Sequence, residues 1–168
     1  MKRQLIIMRH AKSSWKTGEQ DHQRPLNVRG SKDAPRVAGF LVSRGWVPEL
    51  VLSSDSMRTR QTWHYMAPVF GRDIAVQYCP ELYLAGLVQM TAAIEEIGSD
   101  VSTVMVLVHN PGWESAVLDL SGHPIQLTTA NAVLLTTVAH SWAAAIHGPT
   151  WQFVDVLRPR SPQTFIPR

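Results

Sequence analysis

With 168 residues, 45% of them hydrophobic, the chain has enough material for one self-sufficient core and needs no disulfide or metal staple. Its single cysteine, Cys79, cannot close an internal disulfide and stands in no CxxC or Cys/His metal spacing, which points to a reducing compartment. The formal charge of +3 comes from scattered lysines and arginines rather than a polybasic run, so no nucleic-acid partner is expected and an anionic substrate suits the balance equally well. Near the start only Leu5 to Met8 are continuously apolar, too few for a signal-peptide core, and no stretch approaches the roughly 18 residues of a membrane span, so a cytoplasmic protein without membrane contact is expected.

In chain order, Gln4 to Met8 reads as a buried strand that opens at Arg9 and His10 into a polar, turn-rich stretch reaching Gly30. Asn27 is a plausible N-cap for a helix in which Ala34, Val37, Ala38, Leu41 and Val42 share a face; Gly45 closes it and Pro35 blurs its start. Leu50 to Leu52 forms a second strand, and Ser53, Ser54 and Asp55 offer caps for a helix carrying Arg58 and Thr62 to about Val69. Ile74 to Tyr78 reads as a strand, Leu87 to Ile97 as a helix ended by Gly98, and Thr103 to Val108 as a strand. His109-Asn110-Pro111 opens the next helix, with Pro111 suited to its first turn. Ala132 to Val138 and Trp151 to Val156 are the last strands, joined by a link that can form a hairpin, and residues 159–168 make an irregular tail. The alternation predicts one α/β domain over residues 1–168, with helices on both faces of a mostly parallel sheet and ligands at the carboxyl ends of its strands.

Three of those strand ends deliver Arg9-His10, Ser53 to Arg58, and His109-Asn110 toward one rim, although they lie far apart in sequence. Arginine presents a planar fork that pairs with phosphate oxygens, and two such forks with a second imidazole can neutralise a transferring phosphoryl group. A neutral imidazole is also a competent phosphoryl acceptor near pH 7, because its lone pair needs no separate base to expose it. His10 fits that role if one ring nitrogen faces phosphorus while the other donates to a fixed acceptor.

An ordered series of motifs carries these residues: Arg9-His10-Ala11-Lys12-Ser13-Ser14-Trp15, Arg24-Pro25-Leu26-Asn27, Ser53-Ser54 with Arg58-Thr59 and Gln61-Thr62, Pro80-Glu81-Leu82-Tyr83, and Val108-His109-Asn110-Pro111-Gly112. The series resembles the histidine phosphatase superfamily, nearest to its SixA-type phosphohistidine phosphatases, over roughly residues 4 to 122. The resemblance implies a phosphoglycerate-mutase-like three-layer sandwich and a phospho-His10 intermediate. It implies phosphate binding by Arg9, Arg58 and His109, with Ser13 and Asn110 shaping the substrate site. Two positions depart from the family pattern: Ala11 replaces the usual glycine after the histidine, and β-branched Val108 replaces the glycine before the second one.

Glu81 has two readings, a general acid for the leaving group or a carboxylate that caps a neighbouring loop. Trp15, beside the phosphate loop, can grip a substrate edge or simply pack, and His22, His64, His123, His140 and His147 share no ligand spacing. The short intervals between motifs leave no room for large capping insertions, so the site should be open and suited to a phosphorylated side chain on another protein, such as a phosphorelay domain. A phosphomonoesterase acting on a small metabolite and a noncatalytic phosphate-binding adaptor are the other readings.

Overall fold

The computed structural model describes residues 1–148 and 150–161. Its strands are β1 (Lys2–Arg9), β2 (Leu50–Ser53), β3 (Ala75–Tyr78), β4 (Thr103–Val108), β5 (Ala132–Val138) and β6 (Gln152–Leu157). Its helices are α1 (Val28–Ser43), α2 (Met57–Met66), α3 (Leu87–Glu95), α4 (Trp113–Ser121) and α5 (Trp142–His147), with single 3-10 turns at Asp21–Gln23, Ala67–Phe70 and Pro80–Leu82. They form one sheet in the order β3-β2-β4-β1-β5-β6. The first four strands are parallel, and β5 runs antiparallel to both neighbours.

The apolar runs explain the layering. Leu5 to Met8 and Val104 to Val108 are all fully buried, as strands covered on both faces must be. Leu5 and Ile7 pack with Met90, Ile94, Trp113 and Trp142 from α3, α4 and α5, whereas Ile6 and Met8 pack with Val37, Leu41, Trp63 and Met66 from α1 and α2. Successive β1 side chains thus feed two cores, and the result is the expected three-layer sandwich.

Local chemistry moves several boundaries. Ser56, not Ser53, Ser54 or Asp55, caps α2 by accepting from Thr59 N, and the helix stops at Met66 before Pro68 tightens the chain into a 3-10 turn. Pro111 does not enter the first turn of α4: the Asn110–Pro111 peptide is cis and the helix starts at Trp113 after Gly112, whose φ of 108° suits glycine. The link between β5 and β6 folds as α5, capped by Ser141 and anchored by buried Trp142 and Ala145, rather than as a plain hairpin. Helix α1 runs through Pro35 without a break. Of the irregular tail expected over residues 159–168, Pro159 and Arg160 form a turn, and residues 162–168 lie outside the described residues.

The loop after β1 is held against the first turn of α1. Asn27 N donates to Lys12 O at 2.9 Å, Ser14 N to Pro25 O at 2.8 Å, and the Asn27 side chain accepts from Gly30 N at 2.9 Å. A Cβ on Gly30 would stand 2.2 Å from Lys12 O, so only glycine lets the helix lie directly on this backbone. Gly30→Ala is therefore expected to lower stability by about 1–3 kcal/mol, more than the ~1 kcal/mol of losing the cap in Asn27→Ala. Denaturant unfolding ranks the two, and a Gly30→Ala protein as stable as the parent would contradict the contact.

Candidate active site

Sheet order and register bring the three predicted segments together. Strands β2, β4 and β1 are neighbours, with Ser53 beside Leu107 and Arg9 beside Val108, so Ser54, His109 and His10 leave the sheet side by side. Ser54 N donates to Leu107 O and His10 N donates to Val108 O, extending the ladder by one bond into each loop. The first turn of α2 adds Arg58. His10, Arg58 and His109 are 5%, 3% and 1% exposed, so their polar groups must be met by the protein rather than by water.

The tautomer of His10 is fixed from both ends. Its Nδ1 lies 2.7 Å from Ala11 O, which can only accept, so Nδ1 carries the proton. Its Nε2 lies 3.3 Å from Arg58 Nε, which can only donate, so Nε2 presents a lone pair. Burial pushes the imidazole pKa well below 6.5; the Ala11 carbonyl pulls the other way, and the nearby His109, Arg58 and Arg9 add to the lowering. The ring is thus neutral at physiological pH with a nucleophilic nitrogen pointed at a cation. Ala11 N donates to Thr62 Oγ1 at 3.0 Å, which ties the His10 loop to α2.

Arg58 also holds Asp21. Its Nη1 donates to Asp21 O at 2.6 Å and its Nη2 to Asp21 Oδ2 at 3.1 Å, while each terminal nitrogen keeps one N–H for an oxyanion. Asp21 further accepts from Arg24 Nε at 3.1 Å and from the Tyr83 hydroxyl. Partial burial pushes the Asp21 carboxyl up, but the hydrogen bonds from Tyr83 and Arg24 and the Arg58 charge outweigh it and bring the pKa down to about 2. Asp21 is a locked carboxylate.

His109 sits with its ring centroid 5.1 Å from that of His10. Its Nε2 is 2.8 Å from Ser54 Oγ. That oxygen also accepts from Ser56 N at 3.3 Å. Buried Nδ1 has no protein partner, and neither has Arg9 Nε, a donor free to meet an anion. Burial, followed by the charge of Arg58, lowers the His109 pKa to about 3 despite the opposite pull of Asp21. Arg9 Nη1 donates to Leu127 O, and Glu114 Oε1 accepts from both Leu127 N and Asn110 Nδ2, so Asn110 braces the loop over Arg9.

The other sequence candidates separate. Ser13 is buried, and its hydroxyl accepts from Arg24 Nη1 at 2.7 Å, which places it behind Asp21. Glu81 is exposed and lines a groove with Gln77, Cys79, Val88 and Gln89, a groove to which none of His10, Arg58 and His109 contributes. The sequence reading passed over Asp21 and Tyr83. Tyr83 stood in a quoted motif, and its ring packs edge-on to His109 at 5.4 Å. Among the described residues no group of three or more His, Cys, Asp or Glu side chains is placed to hold a metal ion, and no helix is long and apolar enough to cross a membrane.

The profile of the histidine phosphatase superfamily (branch 1) matches residues 5–84. An uncharacterised chloroplastic protein of Arabidopsis thaliana is 43% identical over 172 residues, covering 95% of this chain and 79% of its own length. The chain belongs to the histidine phosphatase superfamily. Among solved structures, a protein proposed to be the phosphohistidine phosphatase SixA of Nakamurella multipartitia superposes with a TM-score of 0.80 at 27% identity, covering 96% of this chain and 98% of that one. A phosphoglycerate mutase from Bacillus anthracis shares the fold at a TM-score of 0.62 and 15% identity, covering 86% and 96%. This histidine phosphatase is accordingly a hydrolase of phosphorylated substrates with a SixA-type, phosphoglycerate-mutase-like architecture.

Its two buried imidazoles make stability depend on pH. Unfolded histidines bind a proton near 6.5, whereas folded His109 resists until about 3 and His10 until well below 6.5, so between these values the unfolded state holds more protons. Stability therefore falls as the pH drops from about 6.5 toward 4, and His109→Gln should flatten that decline by up to one proton's slope. Denaturant unfolding across this range checks it; an unchanged slope in His109→Gln would mean that His109 protonates in the folded chain.

Proposed function

We propose that the chain removes phosphoryl groups from protein-borne phosphohistidine through a phospho-His10 intermediate. The observation that carries this reading is the site's inventory of protons. His10 offers an unprotonated Nε2, while Asp21, the carboxylate in contact with Arg58, is held ionised. An alkoxide leaving from a phosphomonoester needs a proton donor, whereas an imidazole leaving from phosphohistidine can carry a proton on its other nitrogen. Glu81, the acid weighed from the sequence, faces a different groove.

In the first step the substrate P–N bond breaks as the His10 Nε2–P bond forms, and the bonding pair stays on the departing imidazole. Arg9, the remaining Arg58 N–H groups and the His109 imidazole meet the phosphoryl oxygens, with Asn110 and Ser13 holding the surrounding loops. In the second step water attacks phosphorus, the Nε2–P pair returns to His10, and both water protons remain on the phosphate. The Nδ1–H to Ala11 O bond keeps one tautomer through both steps. No metal or organic cofactor enters this scheme. The cysteine content favours a cytoplasmic setting, and a phosphorelay domain is a fitting class of substrate.

Phosphate release from a histidine-phosphorylated relay domain, measured beside a panel of phosphomonoesters and with His10→Ala as control, tests the reading. Selective, His10-dependent release from the relay domain is expected. Turnover of monoesters alone would make the enzyme a metabolite phosphatase, and phosphate binding without turnover would make it an adaptor. A second expectation concerns Asp21: Asp21→Asn should lower kcat/KM by about tenfold on every substrate, through a less well oriented Arg58. A loss of 10²-fold or more confined to monoesters, of the order general acids supply, would instead make Asp21 the acid.

A further inference from the structure

The His10, Arg58 and His109 cluster is polar, but two residues that touch or adjoin its supports, Trp15 and Leu84, are exposed and apolar. Of the six tryptophans, Trp46, Trp63, Trp113, Trp142 and Trp151 are at most 6% exposed, whereas Trp15 is 74% exposed. Its ring is covered on one side by the buried guanidinium of Arg24, 3.5 Å from the centroid. Arg24 is fixed in turn by Ser13, by Ser14 O and by Asp21, so the indole rests on a rigid support joined through Asp21 to Arg58.

Tyr83 donates to the same Asp21 carboxylate and packs against His109. The next residue, Leu84, is 57% exposed and has φ of 52°, a left-handed conformation that a leucine adopts at a cost in strain. Neither Trp15 nor Leu84 gains from burial where it stands, yet both are anchored within one residue or one stacking contact of groups that orient Arg58 and His109. Single exposed apolar residues are common on protein surfaces. Here the sole exposed indole and a strained leucine are both tied, through Arg24 and Tyr83, to the carboxylate that holds Arg58.

We infer that Trp15 and Leu84 are specificity-determining residues that grip the apolar surroundings of a phosphohistidine on a protein substrate whose phosphoryl group is held by Arg58 and His10. This rests on the phosphohistidine phosphatase reading and adds to it the kind of surface the enzyme selects. A free phosphoamino acid ends within the polar pocket and gains nothing from the rim. A phosphohistidine on a helix face brings neighbouring side chains, and those can cover the open face of Trp15 and the side chain of Leu84.

The test compares a chemically phosphorylated relay domain with free phosphohistidine, using Trp15→Ala and Leu84→Asn, the latter chosen because asparagine tolerates the left-handed conformation. For each variant KM toward the relay domain is expected to rise about tenfold, with kcat nearly unchanged and kcat/KM for free phosphohistidine within twofold of the parent. Equal losses on both substrates, or no loss on either, would overturn the rim while leaving the phosphatase reading intact. The same holds if the parent cleaves free phosphohistidine but not the relay domain. If the parent cleaves neither, the phosphatase reading falls, and the rim falls with it.

Discussion

Arg58 is the constraint on which the site depends. It is nearly inaccessible, and its three nitrogens are divided between the carboxylate and carbonyl of Asp21 and the Nε2 of His10. A buried guanidinium is tolerable only where its donors are met, so the Asp21 turn is required for the cation to be there at all. Burial keeps His10 and His109 neutral, and the positive charge of Arg58 adds to that effect on both. The same cation helps to hold Asp21 ionised.

From this follows a division of labour among polar groups. A backbone carbonyl, Ala11 O, chooses the tautomer of His10, while Ser54 Oγ holds the His109 ring through Nε2. Arg9 Nε is left without a protein partner and is free to meet an anion. Asp21 and Glu114 are taken up in holding arginine, tyrosine and loop amides, so the nearby carboxylates serve as supports. On the proposed reading, such a site suits a substrate whose leaving group brings its own proton.

Much of this was legible in the sequence because the apolar runs of β1 and β4 are buried on both faces and can hardly be read as anything but central strands. Once those strands are placed, Arg9, His10 and His109 must emerge together, and the motif around Arg58 joins them. Asp21 was hidden because it lies in a polar stretch without periodicity, and its partners Arg58 and Tyr83 are 37 and 62 residues away. Arg3 was equally opaque: it reads as part of a basic start, yet it is fully buried with its guanidinium against the carbonyls of Ser99, Val101 and His140. The α5 segment misled because its two buried residues, Trp142 and Ala145, make only one turn of helical pattern, too little to outweigh a hairpin between adjacent strands.

The central claim is that His10 is held as a neutral imidazole, protonated on Nδ1 and bare on Nε2. Nitrogen-15 NMR of the histidine rings reads this directly. The account predicts that the His10 signals report a bare Nε2 and a protonated Nδ1, unchanged as the pH is lowered from 8 to about 5.5. A proton on Nε2, or titration of His10 near its ordinary value of about 6.5, would contradict it.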